Sequence, residues 1–194
     1  MTKPDQGNGL LIVVSAPSGG GKGTILRRVL AQDPRLRHAV SATTRAPRNG
    51  EVEGEHYYFV DRATFEQWIE EGRFAEWANV HGELYGTLHE ELDRIRAAGR
   101  DVILELDVQG MRSIRKLRPE AATIFIEPPS MAILEDRLRK RGDLTDAALA
   151  VRLRNAEAEI SAKNEYDCQI LNDDLDRAIK QFEEFVTRSR ASAR

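Results

Sequence analysis

The segment Ser15-Ala16-Pro17-Ser18-Gly19-Gly20-Gly21-Lys22-Gly23-Thr24 places four of the chain's 14 glycines within five positions, around a lysine. Glycines let the backbone turn tightly, so that several N–H groups point inward at one anion. The apolar run Leu10–Val14 precedes the loop, and the helical spacing of Ile25, Leu26, Val29 and Leu30 follows it. A helix N-terminus adds the positive end of its dipole, and Lys22 is placed to reach β- and γ-phosphates. The pattern is GxxxxGK[ST] with two departures. Ala16 replaces the first glycine, and Gly23 stands where a hydroxyl would meet Mg2+. Thr24 comes one place late, which leaves direct metal coordination by the loop open. Phosphate binding over Ala16–Thr24 is the expectation. Asp107-Val108-Gln109-Gly110 imitates the DxxG of switch GTPases, but no Asn-Lys-x-Asp guanine motif occurs, since Asn172-Asp173-Asp174-Leu175 is not one.

A second anion site is expected at Ser41–Arg48. Pro47 restricts Ala46 to an extended conformation, and Arg45 and Arg48 lie three apart. Two guanidinium groups on a rigid loop make a clamp for a phosphate monoester, and Tyr57 and Tyr85 add phenolic donors. In the run Val102–Asp107, a period of two puts Ile103, Glu105 and Asp107 on one face. Acids at the carboxyl end of a parallel strand face the ligand crevice of a doubly wound sheet. Asp107 is the candidate to hold a Mg2+ hydration shell through water, because this ion keeps several of its waters. Glu105 is the candidate to steady a base or a clamp arginine. Four histidines, 38, 56, 81 and 89, show no metal-ligand spacing and read as structural, and Cys168 reads as a small core residue.

The elements that must position these residues follow from apolar runs and their spacing. Leu10–Val14, Val102–Leu106, Thr123–Ile126 and Cys168–Leu171 read as buried strands, with a fifth from His38 to Ser41. Helical segments follow them, so the fold class is α/β, a parallel sheet covered on both faces. Leu175, Ile179, Phe182 and Val186, at i, i+4, i+7 and i+11, predict a last helix capped by Asp173 or Asp174. Residues 10–41, 99–129 and 166–187 are assigned to a P-loop core. Residues 42–98 read as an inserted subdomain with a small mixed sheet. Residues 130–165 form a helical unit with Leu149, Leu153, Ala156 and Ile160 as its apolar stripe. A polar tail is expected at 1–9 and a frayed one at 188–194.

With 29 basic and 32 acidic side chains, the formal net charge is −3, which argues against a nucleic-acid coat or a membrane-surface protein. No apolar run approaches a membrane span and no secretory h-region follows the start, so a cytoplasmic protein is expected. Within the basic set, 23 are Arg and 6 are Lys. Arg supplies a planar fork suited to phosphate, so the arginines that cluster carry the question of function.

The ordered motifs together resemble guanylate kinase. They comprise Ser15-Ala16-Pro17-Ser18-Gly19-x-Gly21-Lys22, Ser41…Thr43-Thr44-Arg45-x-Pro47-Arg48-x-Gly50-Glu51-x-x-Gly54 and His56-Tyr57-Tyr58-Phe59-Val60. Glu76-Trp77 before Leu84-Tyr85-Gly86-Thr87, Asp107–Gly110, Pro128-Pro129-Ser130 and Asn172–Leu175 complete the set. The resemblance runs from about residue 10 to residue 187. It implies a P-loop core, a GMP-binding insertion and a mobile lid, acting on ATP and GMP with Mg2+ to give ADP and GDP. It implies further that Arg45, Arg48, Tyr57 and Tyr85 hold the GMP phosphate, that Ser41, Glu76 and Thr87 read guanine, and that Arg137, Arg141 and Arg152 are lid arginines acting with Lys22. A carboxylate at Glu76 suits the N1–H and N2–H₂ donors that guanine has and adenine lacks. Two rivals stand beside it: a related small-molecule kinase, such as one phosphorylating ribose bisphosphate, and a non-catalytic scaffold domain of the same lineage. The first has no need of Glu76, Ser41 and Thr87, and the second has no need of Lys22, Asp107 and the lid arginines.

Overall fold

The structure is a computed structural model that describes residues 9–80, 82–140 and 145–193. Strand β1 (Leu11–Ser15) is fully buried and forms the middle of a five-stranded parallel sheet. β7 (Asp101–Glu105) and β8 (Ala122–Glu127) flank it, and β2 (Leu36–His38) and β9 (Cys168–Leu171) are the edges. The central strands are apolar on both faces because helices cover both. Ile12, Val14 and Ile103 pack under α1 (Lys22–Gln32) and α7 (Leu175–Ser192), through Ile25, Val29, Ile179 and Phe182. Leu11, Val13, Val102 and Leu104 pack on the other face under α3 (His89–Ala97) and α4 (Val108–Leu117). α1 stops where Asp33, immediately before Pro34, is extended at φ −111° and ψ 105°.

The fifth strand expected from His38 to Ser41 is two strands. β2 ends at His38, opposite Ile103 in the parallel sheet, whereas β3 (Ser41–Thr43) opens a second sheet. Its order is β4-β3-β6-β5, with β4 (Tyr57–Phe59), β5 (Phe74–Val80) and β6 (Glu83–Leu88). β3 runs parallel to β4 and antiparallel to β6, so this sheet is mixed. A period-two pattern continues across Ala39 and Val40 whichever partner each end pairs with, and this hides the switch. α2 (Arg62–Glu70) covers the second sheet, its Phe65 stacked on Phe74 with ring centroids 4.3 Å apart.

α5 (Met131–Lys140) and α6 (Asp146–Ser161) pack on one another through Leu134, Leu138, Leu149 and Ala156. The tail expected to fray from residue 188 is instead the last turn of α7, which runs to Ser192. Arg190 holds it: its Nε donates to Asp101 Oδ2 at 2.6 Å and its Nη2 to Asp33 Oδ2 at 2.7 Å. Asp101 is inaccessible to solvent and also accepts from the Leu10 N–H at 2.8 Å. A buried carboxylate needs such partners, and the periodicity of a helix does not report them. Among the described residues no helix is long and apolar enough to cross a membrane.

Candidate active site

The glycine loop leaves β1 at the carboxyl edge of the parallel sheet and enters α1 at Lys22. Gly21 is the N-cap in the left-handed region, φ 92°, and offers no side-chain acceptor; the Thr24 N–H donates to its carbonyl at 3.1 Å, and the Lys22 and Gly23 N–H groups ahead of it face the anion site. A Cβ at Gly21 would stand 2.1 Å from Asn172 Nδ2, so both conformation and space require glycine there. The Gly20 N–H donates to the Pro17 carbonyl at 2.8 Å, and the Asn172 amide donates to the Gly20 carbonyl at 2.7 Å. The loop is thereby fastened to the end of β9. Leu134 and Leu138 of α5 pack against Gly19.

A cleft of about 1030 Å³ opens above the loop. Ala16, Pro17, Ser18, Gly19, Gly21, Lys22, Gly23 and Thr24 line it, together with His38, Glu105, Arg137 and Asn172. Gly20 is buried beneath it. Arg137 Nη2 donates to the Asn172 carbonyl at 3.3 Å, and Arg152 Nη1 reaches Ser18 Oγ at 3.4 Å, so of two arginines of the α5–α6 unit one meets the loop and the other the end of β9 beside it. Arg141 lies outside the described residues. Lys22 Nζ pairs with Glu105 Oε2 at 3.2 Å, and His38 Nε2 meets Glu105 Oε1 at 3.0 Å. With His38 foremost and Lys22 behind it, these contacts outweigh burial and hold the Glu105 carboxyl at about 2, ionised at any physiological pH.

A second cavity, about 390 Å³, lies between the two sheets. Ser41, Tyr57, Glu76 and Tyr85 line it from the mixed sheet, and Glu105, Asp107 and Gln109 from the core. Thr87 is only 1 % exposed and reaches the cavity through its partners: its Oγ1 donates to Glu76 Oε1 at 2.8 Å and lies 3.0 Å from Ser41 Oγ. Burial, against the Thr87 hydrogen bonds and helped by the charge of Asp107, pushes the Glu76 carboxyl up to about 7. At the rim, Arg45 lies 5.5 Å from the Tyr57 ring centroid, and the Tyr57 and Tyr85 rings stand 5.9 Å apart.

The arginine clamp differs from the expected pair of free forks. Glu51 joins the two residues, accepting from Arg45 Nη2 at 2.7 Å and from the Arg48 backbone N–H at 2.7 Å. The Arg45 guanidinium holds the Glu51 carboxyl at about 2. Asp107 also departs from expectation. It follows the end of β7 and is the N-cap of α4, its Oδ1 accepting from the Gly110 N–H at 2.8 Å. One oxygen is therefore committed to a helix terminus, although the residue still lines the second cavity. Among the described residues Thr24 Oγ1 is met by Arg27 alone, at 3.5 Å. Among the described residues no three acidic, histidine or cysteine side chains form a metal cage.

Three residues of the site have no role that their local sequence reports: His38, Glu51 and Asn172. Glu51 acts on Arg45 and the Arg48 backbone, and Asn172 on a loop carbonyl 152 positions away, contacts that spacing does not signal. His38 carried no signal beyond its position at the end of a strand.

A glycine loop between a buried parallel strand and a helix N-terminus, facing a second polar cavity across the sheet's carboxyl edge, is the layout of a P-loop phosphotransferase. Residues 8–189 match the family described as guanylate kinase. The chain is 47 % identical over 179 residues to a guanylate kinase of Carboxydothermus hydrogenoformans, covering 92 % of this chain and 88 % of that protein. It is 46 % identical over 180 residues to one of Rubrobacter xylanophilus, covering 93 % and 94 %. The crystal structure of guanylate kinase from Anaplasma phagocytophilum is similar at a TM-score of 0.73 and 33 % identity, over 96 % of this chain and 87 % of that one. The chain belongs to the guanylate kinase family.

Proposed function

We propose that the chain transfers the γ-phosphoryl group of ATP to GMP, giving ADP and GDP. The observation that carries this is the second cavity, where a half-buried carboxylate, Glu76, is hydrogen-bonded by Thr87 beside Ser41, while Arg45, Tyr57 and Tyr85 stand at its rim. An ionised Glu76 accepts from guanine N1–H and N2–H₂. Ser41 and Thr87 keep its carboxylate oriented, and Ser41 offers a hydroxyl to the guanine acceptors. Arg45 and Arg48 take the GMP phosphate with Tyr57 and Tyr85, Glu51 holding the arginines in place until it arrives.

The loop Ala16–Thr24 cradles the ATP phosphates with its N–H groups, and Lys22 turns from Glu105 to the β- and γ-phosphoryl oxygens. The GMP phosphate oxygen attacks the γ-phosphorus directly, so the protein supplies positioning and charge rather than a nucleophile. Arg137 and Arg152 belong to a lid unit, within 130–165, that brings cationic forks to the transferring group and excludes water, and Arg141, outside the described residues, is assigned to act with them. The donor set fits Mg2+ only as an ion carried by nucleotide phosphates and water, with Thr24 and Asp107 as its protein-side contacts through water. When bound with ATP, Mg2+ neutralises charge on the phosphoryl oxygens. The domain division follows: core 10–41, 99–129 and 166–187, acceptor insertion 42–98, lid 130–165.

ADP formation measured with GMP, dGMP, AMP, CMP and UMP as acceptors tests this. Turnover confined to the guanine nucleotides is expected, and equal turnover with AMP would overturn it.

A further inference from the structure

Among the described residues, Glu105 lines both cavities, and its two oxygens are divided between two partners. Oε1 meets His38 Nε2 at 3.0 Å and Oε2 meets Lys22 Nζ at 3.2 Å. Three elements converge here: the end of β2, the end of β7 and the first residue of α1. The register fixes the geometry, because His38 pairs with Ile103 and Glu105 lies two residues further along β7, on the same face. His38 itself is 44 % exposed at its side chain and lines the loop cleft.

A carboxylate with both oxygens free would draw a neighbouring ammonium into a two-oxygen contact. With Oε1 committed to an imidazole, it offers Lys22 only Oε2. The same hydrogen bond stops the carboxylate from rotating. Lys22 must exchange Glu105 for phosphoryl oxygens, so whatever limits the carboxylate's hold eases that exchange.

We propose that His38 is a positioning residue for ATP binding: by occupying Glu105 Oε1 it limits Lys22 to a single-oxygen contact and keeps its ammonium extended over the glycine loop. This rests on the phosphotransferase function proposed above. The role assigned to His38 runs through Glu105 and not through a direct contact with either substrate.

The test is steady-state kinetics with ATP and GMP varied independently. His38→Leu raises KM for ATP by about five- to tenfold, while kcat and KM for GMP stay within about twofold. His38→Gln, whose amide also donates to Oε1, returns KM for ATP to within about twofold of the wild type. In a Glu105→Gln background the His38→Leu change no longer alters KM for ATP, since the carboxylate it acts through is gone. His38→Ala serves as a second deletion should the leucine variant melt early. An unchanged KM for ATP in both deletions, an equal rise in KM for GMP, or an undiminished effect in the Glu105→Gln background would each overturn the proposal. If the wild type itself made no ADP from ATP and GMP, the function would fail instead.

Discussion

The side-chain amide of Asn172 donates to the carbonyl of Gly20 across 152 positions of sequence, and at 2.7 Å it ties the end of β9 to the centre of the glycine loop. Asn172 is 7 % exposed and Gly20 is buried, so no solvent replaces the bond. Asn172→Ala leaves a buried carbonyl unpaired and is expected to cost about 1–3 kcal/mol of stability. It is also expected to raise KM for ATP several-fold and leave KM for GMP unchanged. Chemical denaturation and two-substrate kinetics check the two parts.

Arg190 closes another long-range contact. Its guanidinium is 18 % exposed and neutralises Asp101, whose side chain is 1 % exposed, alongside Asp33. Arg190→Ala strands a buried charge and is expected to cost about 3 kcal/mol, lowering Tm by about 10 °C. Thermal unfolding at neutral pH measures it, with Arg188→Ala as a control that stays close to the wild type.

Much of this architecture was legible in the sequence, and the remainder divides along a physical line. β1, the glycine loop and α1 could be read because their signals are local: a continuous apolar run, four glycines and a helical period. The cap of α7 was legible to within one residue, Asp173 or Asp174, for the same reason; it is Asp174, whose side chain accepts from the Arg177 N–H three residues on. The break between β2 and β3 was not, since pairing partners far along the chain decide it. Asp107 was placed on a strand face by period two, but the strand ends at Glu105 and the backbone turns the acid into a helix cap. Arg190 on Asp33 and Asp101, His38 on Glu105 and Asn172 on Gly20 each act across more than 60 positions of sequence. Ser41, Thr87 and Glu76 were named through family resemblance. Their hydrogen-bond chain is a product of β5–β6–β3 pairing that spacing does not report.

Acceptor binding is expected to depend on pH. Burial pushes the Glu76 carboxyl up to about 7, and only its ionised form accepts from both guanine donors. GMP affinity should therefore rise with pH and level off above about 8. At pH 6, where roughly one tenth of Glu76 is ionised, it should be about tenfold below the plateau. Calorimetric titration of GMP from pH 5.5 to 8.5 checks this. The same titration with Glu76→Gln separates out ionisation of the GMP phosphate and should lose the Glu76 component.

The same carboxyl lowers the stability of the ligand-free protein. Its value is raised from 4.5 to about 7, so the folded state binds more protons than the unfolded state between those values. Stability from this group is therefore lost as pH rises through that window. Glu76→Gln removes the half-buried charge while keeping an oxygen for Thr87. At pH 8 the ligand-free variant is expected to be about 1–3 kcal/mol more stable than the wild type, a gain that should vanish near pH 4.5. Denaturant melts at the two pH values decide it.

Recognition of guanine through Glu76 is the centre of the account. The most direct measurement is the ratio of kcat/KM for GMP to that for AMP, in the wild type and in Glu76→Gln. A site that reads a base through buried hydrogen bonds discriminates by about 10⁴-fold, so the wild-type ratio should be of that order. The variant should lose about 100-fold of it or more, with KM for ATP unchanged. A ratio left unmoved by Glu76→Gln would contradict the assignment of this carboxylate as the reader of the base.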